Sequence, residues 1–347
     1  MTTIYDIAKR AGVSAATVSK VLNGYRDVSL ETRLKVRRIT EELGYRPSAV
    51  ARSLATKRTM CIGVFFEDYV NVGLRHPFFN DLISAFRDVV GRQGYDVLFF
   101  ADRQLDEVLS GFEARARHRE VDGVLVFGVP RMDPRLLELA NSQIPCVFID
   151  LDLVGSRASY LTSDNIGGAM AAVRYLVECG HREIAFFGDE LASKPGQDRL
   201  IGYQQELRRR NLPFRPEWIL KGDFMEESGY RAACRLLECA ERPTALFCAS
   251  DLMAIGAIRA LREHGLEVGK DISVIGFDDI TLARYVTPGL TTIRQAREEM
   301  GRKAAEELLG LIGEPGKLPS IITVPTELVV RETVGSPRSV ERRPVQN

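Results

Sequence analysis

The sequence predicts an all-α helix-turn-helix module joined to a larger α/β body of two lobes, and three observations carry that reading. Residues 1–58 hold 12 Lys and Arg against 5 Asp and Glu, a balance of +7, whereas the rest of the chain carries 35 against 42, a balance of −7; the net charge of zero conceals a basic head on an acidic body. Apolar residues in the first 43 positions recur at helical spacing between glycines. Beyond residue 60, seven short apolar runs alternate with amphipathic stretches, the pattern of β-then-α units around parallel sheets.

A chain of 347 residues suits two or three domains, and 45% hydrophobic with 27% charged residues is a soluble, globular balance. No segment reaches the roughly 20 apolar residues of a membrane helix. Asp6, Lys9 and Arg10 interrupt any apolar export core at the amino-terminal end, so a cytoplasmic location is expected. The six cysteines form no CxxC pair and sit mostly in apolar runs, as in a reducing compartment, and no metal, redox centre or cofactor is expected.

In the head, Ile4, Ile7, Ala8 and Ala11 share a helical face, Gly12 suits the left-handed turn that ends a helix, and Ser14 is placed to cap the next one. Ser29 can cap a third helix whose inner face holds Val36, Ile39 and Leu43, with Gly44 just past its end. If Val18, Val21 and Leu22 of the second helix face inward, Ala15, Ala16 and Lys20 face out. A helix with small outward residues and one cation suits the DNA major groove, where alanine methyls pack on thymine methyls and an ammonium donates to guanine O6 and N7. Tyr5, Ser14, Thr17, Ser19 and Asn23 carry polar groups suited to phosphates, which set docking register without reading sequence. Pro47 can start a further helix, but Ser48 to Ala55 is too short to be stable alone, where about 12 residues are needed. It is expected to order against a partner, with Leu54 as an apolar wedge among Arg46, Arg52, Lys57 and Arg58, suited to kink a duplex from the minor groove.

In the body, the strand-like runs are CIGVFF (61–66), YDVLFFA (95–101), VDGVLVFG (121–128), PCVFID (145–150), EIAFFGD (183–189), TALFCAS (244–250) and SVIGFDD (273–279). Ligands in open α/β sheets sit outside the carboxyl ends of strands. That rule picks out Phe78 and Phe79 in RHPFFNDL, then Asp150, Ser250, Asp251 and Asp278 at strand ends. Arg199 in DRLIGY and Phe224 in GDFMEESGY complete the candidates. Phe79 is open to a core role, Asp251 to capping the helix that follows, and Asp279 is expected to face solvent. His181 reads as a helix-end or packing residue and not a base. No GxxxxGK[ST] loop, HExxH or GxSxG elbow occurs, and the four histidines lack metal-ligand spacing, so an enzyme is not expected.

TIYDIAKRAGVSAATVSKVLNG (3–24) resembles the amino-terminal signature of the LacI/GalR family of bacterial transcription regulators, and GYRPSAVARSL (44–54) resembles that family's hinge. The resemblance implies base readout by Ala15, Ala16 and Lys20, and hinge helices that enter the minor groove through Ala51 and Leu54. It implies a body of the periplasmic-binding-protein type 1 (Rossmann-like) fold, whose chain crosses between lobes near residues 162, 290 and 322. The domains are then a DNA-binding head at 1–45, a hinge at 46–58 and an effector-binding and dimerisation core at 59–335. Within the core the first lobe takes about 60–162 and 291–321, and the second about 163–290 and 322–335; residues 336–347 are expected to be a disordered tail. Phe78, Phe79, Asp150, Arg199, Phe224, Ser250 and Asp278 match the family's effector site, with Ser250 where many relatives have Asn. The implied protein is a repressor acting as a homodimer on a pseudo-palindromic operator in double-stranded DNA, controlled by a small effector, a carbohydrate by family precedent, with no membrane partner.

Overall fold

The computed structural model describes residues 2–22, 24–25, 27–45, 58–66, 76–101, 111–188 and 193–337. Asn23 and the hinge positions Ala51 and Leu54 lie outside the described residues, as does the expected tail beyond residue 337. The chain divides into two compact units, Met1–Met60 and Cys61–Asn347.

The first unit is three helices, α1 (Ile4–Ala11), α2 (Ala15–Leu22) and α3 (Leu30–Glu42). Each starts on a side-chain cap, because the first N–H groups of a helix have no partner of their own. Thr3 and Asp6 form a reciprocal box at α1. Ser14 Oγ accepts the Thr17 N–H at 3.1 Å and Ser29 Oγ the Thr32 N–H at 3.3 Å. Gly12 has φ +68°, a left-handed conformation that ends α1 and turns the chain into α2. Ile7, Ala8, Ala11, Val18, Val21, Val36 and Ile39 close a small core, with Leu22 and Leu43 half-buried against it.

The second unit holds two six-stranded sheets. The first contains β1 (Cys61–Phe66), β2 (Asp96–Phe100), β3 (Gly123–Phe127), β4 (Cys146–Ile149), β5 (Ala158–Ser163) and β11 (Ile321–Val324), in the order β11-β5-β4-β3-β1-β2, all parallel. The second contains β6 (Ile184–Gly188), β7 (Ile219–Lys221), β8 (Ala245–Cys248), β9 (Ser273–Asp278), β10 (Thr291–Gln295) and β12 (Thr326–Val329). Its order is β12-β10-β9-β8-β6-β7, and only β12 runs antiparallel to its neighbour. Helices α4 (Pro77–Arg92), α5 (Phe112–His118), α6 (Pro134–Ala140) and α11 (Arg297–Gly313) accompany the first sheet. Helices α7 (Asn165–Glu178), α8 (Lys194–Arg209), α9 (Glu226–Leu237) and α10 (Asp251–Glu263) accompany the second. No helix among the described residues is long and apolar enough to cross a membrane.

Two of the three expected lobe crossings are displaced. The TTIRQ strand, β10, pairs with β9 with Thr291 opposite Ile275, so the chain returns to the first lobe after Gln295 and not at 290. IITV, β11, pairs with β5 with Ile321 opposite Tyr160, so the last crossing follows Val324 and not 321. In both cases a short strand completes the lobe that the chain is about to leave, the polar TTIRQ in one and the apolar IITV in the other. The first passage runs from Ser163, the end of β5, into α7 at Asn165.

Candidate nucleic-acid interface and ligand cleft

On the first unit, Ala16 and Lys20 are exposed on α2, and Tyr5 on α1 is 72% exposed. Ala15 departs from expectation: it is half-buried and its methyl packs on the core. As the first residue of α2 it lies one turn before Val18, at the edge of the inner face. The Ser14 and Thr17 hydroxyls share a hydrogen bond of 2.9 Å at the start of α2. Thr17 and Ser19 are half-buried. Lys20 Nζ donates to Asp27 Oδ2 at 2.5 Å, and that bond raises the lysine's pKa above its usual value and lowers the aspartate's.

In the second unit a cavity of about 220 Å³ opens where strands of both sheets end. The first lobe contributes Phe66, Phe78, Phe79, Arg131 and Asp150; the second contributes Lys194, Arg199, Phe224, Asp278 and Gln295. The apolar wall is a set of ring contacts, with Phe79 stacked 5.1 Å from Phe127 and edge-on to Phe66 and Phe78 at 5.2 Å. Phe79 therefore serves both core and cavity, and Phe78 is mostly buried behind it.

Behind the polar wall, a chain of hydrogen bonds and one ion pair joins the lobes. Thr162 donates to Asp150 Oδ1 at 2.6 Å, and Asn165 Nδ2 donates to the Thr162 hydroxyl at 3.2 Å. Arg199 Nε donates to Asn165 Oδ1 at 2.9 Å. Arg199 Nη1 donates to the Ala249 carbonyl and stands 3.7 Å from Asp278 Oδ1, which also accepts from Gln295 Nε2 at 2.6 Å. The guanidinium carbon lies 3.8 Å over the Phe277 ring, a platform that suits a buried arginine. Gln295 Oε1 is buried without a partner among the described residues, leaving an acceptor in the cavity wall. Burial pushes the Asp150 carboxyl up to about 6, against the Thr162 hydroxyl and Arg199, which hold it down. Burial also lowers the Arg199 pKa, which Asp278 and Asp150 oppose.

Three of these residues sit in backbone conformations that L residues rarely adopt: Asp150 at φ +58°, Phe224 at +68° and Asp278 at +120°. Such conformations cost of order 1–3 kcal/mol each and persist where the surroundings over-determine them. The surroundings are visible here. The Asp278 carbonyl accepts from Arg297 Nη1 at 2.8 Å, Arg297 is held by Asp81 of α4, and the Phe224 carbonyl accepts the Ser250 hydroxyl at 2.8 Å. Across the cavity mouth, Arg131 grips Asp152 with two N–H groups at 2.6 and 2.8 Å and reaches Gln197 of α8 with a third at 2.6 Å.

Two residues are not where the sequence reading put them. Ser250 is fully buried and does not line the cavity; its short side chain accepts the Met253 N–H at the start of α10 and donates to Phe224, so it supports a wall residue from behind. Asp279 is buried, not solvent-facing, because Arg294 and Arg331 both bind its carboxylate. Asp251 accepts the Ile280 N–H and the Thr292 hydroxyl in the interior. His181 is buried behind α7, bonded through Nδ1 to Thr244 and through Nε2 to the Gly335 carbonyl. Thr162, Asn165, Gln295 and Arg131 were missed; Thr162 and Gln295 sit near the ends of β5 and β10, which carry no strong apolar signal, and Asn165 opens α7.

Residues 3–48 match the family model for bacterial regulatory proteins of the lacI family, and residues 173–334 match that for a periplasmic binding protein-like domain. The chain is 39% identical over 336 residues to the HTH-type transcriptional repressor PurR of Yersinia pestis (strain Pestoides F), covering 96% of this chain and 97% of that one. Among solved structures it resembles the lac repressor dimer bound to operator and the anti-inducer ONPF, at 32% identity and a TM-score of 0.81, over 96% of this chain and 99% of that one. It also resembles the transcriptional regulator CelR in complex with cellobiose, at 31% identity and a TM-score of 0.71, over 96% and 100%.

Proposed function

The chain belongs to the LacI family of bacterial regulatory proteins and is a DNA-binding transcriptional repressor with a ligand-responsive body, and from that premise we propose how it works. It acts as a homodimer on a pseudo-palindromic operator in the cytoplasm, performs no catalysis, and answers to a small sugar or sugar derivative. The observation that carries the effector reading is the cavity itself: aromatic platforms on one wall face a chain of acceptors and one buried guanidinium on the other. Rings with several hydroxyls suit such a wall, since each hydroxyl both donates and accepts. The cellobiose complex of CelR supports a carbohydrate.

One reading helix covers only a half-site, so two-fold symmetry follows from the need for specificity. Leu282 and Tyr285 are exposed, and a depression nearby in sequence is lined by Ile255, Ile258 and Val286 with the charged Glu226, Arg259, Arg262 and Glu263, a mixed surface that self-association could use. The effector favours one relative arrangement of the lobes, and that arrangement permits or forbids pairing of two hinge segments on DNA.

Selection of binding sites from random duplexes by the full-length protein tests the DNA reading; enrichment of no sequence would end it. Lys20→Ala is expected to lower preference for guanine at one position in each half-site by roughly tenfold. Unchanged base preference would remove Lys20 from the readers. Leu54→Ala is expected to weaken binding to the selected site while sparing binding to random duplex, because a wedge acts only where the duplex is kinked. Equal loss of both would argue against the wedge.

A further inference from the structure

The α2 helix ends in a turn that bears on recognition. Gly24 takes φ +77°, its N–H donates to the Val21 carbonyl at 3.2 Å, and the Tyr25 N–H reaches back to the Lys20 carbonyl at 3.0 Å. This pair of bonds is the left-handed cap that reverses a chain at a helix end. The reversal brings Asp27 beside the outward side chain of Lys20, with Nζ 2.5 Å from Oδ2 and both side chains about half exposed. Exposed pairs of this kind add little to fold stability. Their place on a reading surface gives them another use.

A lysine ammonium is a point charge on a flexible stem, without the fixed fork of arginine, so alone it is drawn to any phosphate in reach. The geometry points to Asp27 as a specificity-determining residue that acts through Lys20: it occupies one N–H of the ammonium, holds the charge off the backbone, and leaves the remaining donors for guanine O6 and N7. The free oxygen of the same carboxylate repels phosphates, so the pair steers the ammonium from the backbone to guanine. This inference rests on the reading that α2 enters the major groove.

The test compares full-length wild type, Asp27→Ala, Lys20→Ala and the double variant, by selection from random duplexes and by titration of one random-sequence duplex across salt concentrations. Asp27→Ala is expected to bind random duplex several-fold more tightly, with a log–log salt slope steeper by about 0.9, as one more phosphate contact requires, and to lose several-fold in guanine preference. In the Lys20→Ala background, Asp27→Ala is expected to leave base preference unmoved. Retained guanine preference in Asp27→Ala, or an equal change in base preference with and without Lys20, overturns the proposal. If Lys20→Ala itself leaves base preference intact while wild type still enriches a site, the groove assignment of Lys20 falls, and this inference with it.

Discussion

Arg199→Ala is expected to abolish the response to effector while leaving operator affinity in its absence intact. The guanidinium is fully enclosed, bonded to Asn165 and the Ala249 carbonyl, stacked over Phe277 and 3.7 Å from Asp278. It connects the acceptors of the first lobe, through Asn165 and Thr162, with those of the second. Its loss removes charge-assisted donors from the ligand site and leaves the Asp278 carboxylate with Gln295 alone. Removing one partner of a buried ion pair costs about 3–5 kcal/mol. Two measurements separate the consequences. A melting curve without ligand should fall by several degrees, and a sugar that raises the wild-type melting point should no longer raise that of the variant, since only ligands that bind the folded state do so. Arg199→Lys, which keeps a charge but loses the fork, should recover stability more than binding. A folded Arg199→Ala protein that still answers normally to the same sugar would show that the cavity is not the effector site.

How much of this was legible in the sequence differs between apolar and polar segments. Caps and glycine turns of the head are local chemistry, so Ser14, Gly12 and Ser29 could be placed from spacing alone. Six of the seven strands that the sequence predicts are apolar because they are buried inside parallel sheets, as Gly123–Phe127 and Ile184–Gly188 are, whereas β2 is a half-exposed edge strand. β10 and β12 are rich in Thr, Arg and Glu, β11 is only a short apolar run, and their membership is decided by pairing partners elsewhere in the chain, as when Ile321 lies opposite Tyr160, which no local pattern encodes. That is why two crossings were displaced, and why Gln295 and Asn165, which flank crossings, escaped notice. Strand-end carboxylates were visible as candidates, but their division of labour was not. Asp150 and Asp278 face the cavity, whereas Asp251 and Asp279 are consumed inside by Thr292, Ile280, Arg294 and Arg331. Ser250 misled for the same reason: a serine before a helix is a cap first, and only what remains of it is free for a ligand.

Asp150→Asn is expected to make the ligand-free protein more stable at neutral pH and less able to bind its effector. Burial holds the Asp150 carboxyl at about 6 in the folded protein, against 3.8 for the free side chain. A raised carboxyl pKa means that the folded state keeps its proton longer than the unfolded chain, so the favourable contribution is full below about 3.8 and is lost as pH rises through 6. Ionising the carboxyl there costs the folded state up to about 3 kcal/mol, less whatever cavity water recovers. An asparagine can still accept the Thr162 hydroxyl and never ionises. Melting curves taken between pH 4 and 8 should therefore nearly coincide for the two proteins at pH 4, separate as pH rises from about 4 to 6, and keep a constant gap above 6, with the variant higher. A ligand hydroxyl that donates to the carboxylate favours its ionised form, so wild-type affinity for a bound sugar should rise between pH 5 and 7 and that of Asp150→Asn should stay flat. His181 works in the opposite sense: burial lowers its pKa, so its contribution is lost as pH falls below about 6.5 in both proteins and cancels from the comparison. Melting curves that run parallel across the whole range would mean that Asp150 is solvated well enough to ionise freely, and the strained conformation at φ +58° would then need another reason.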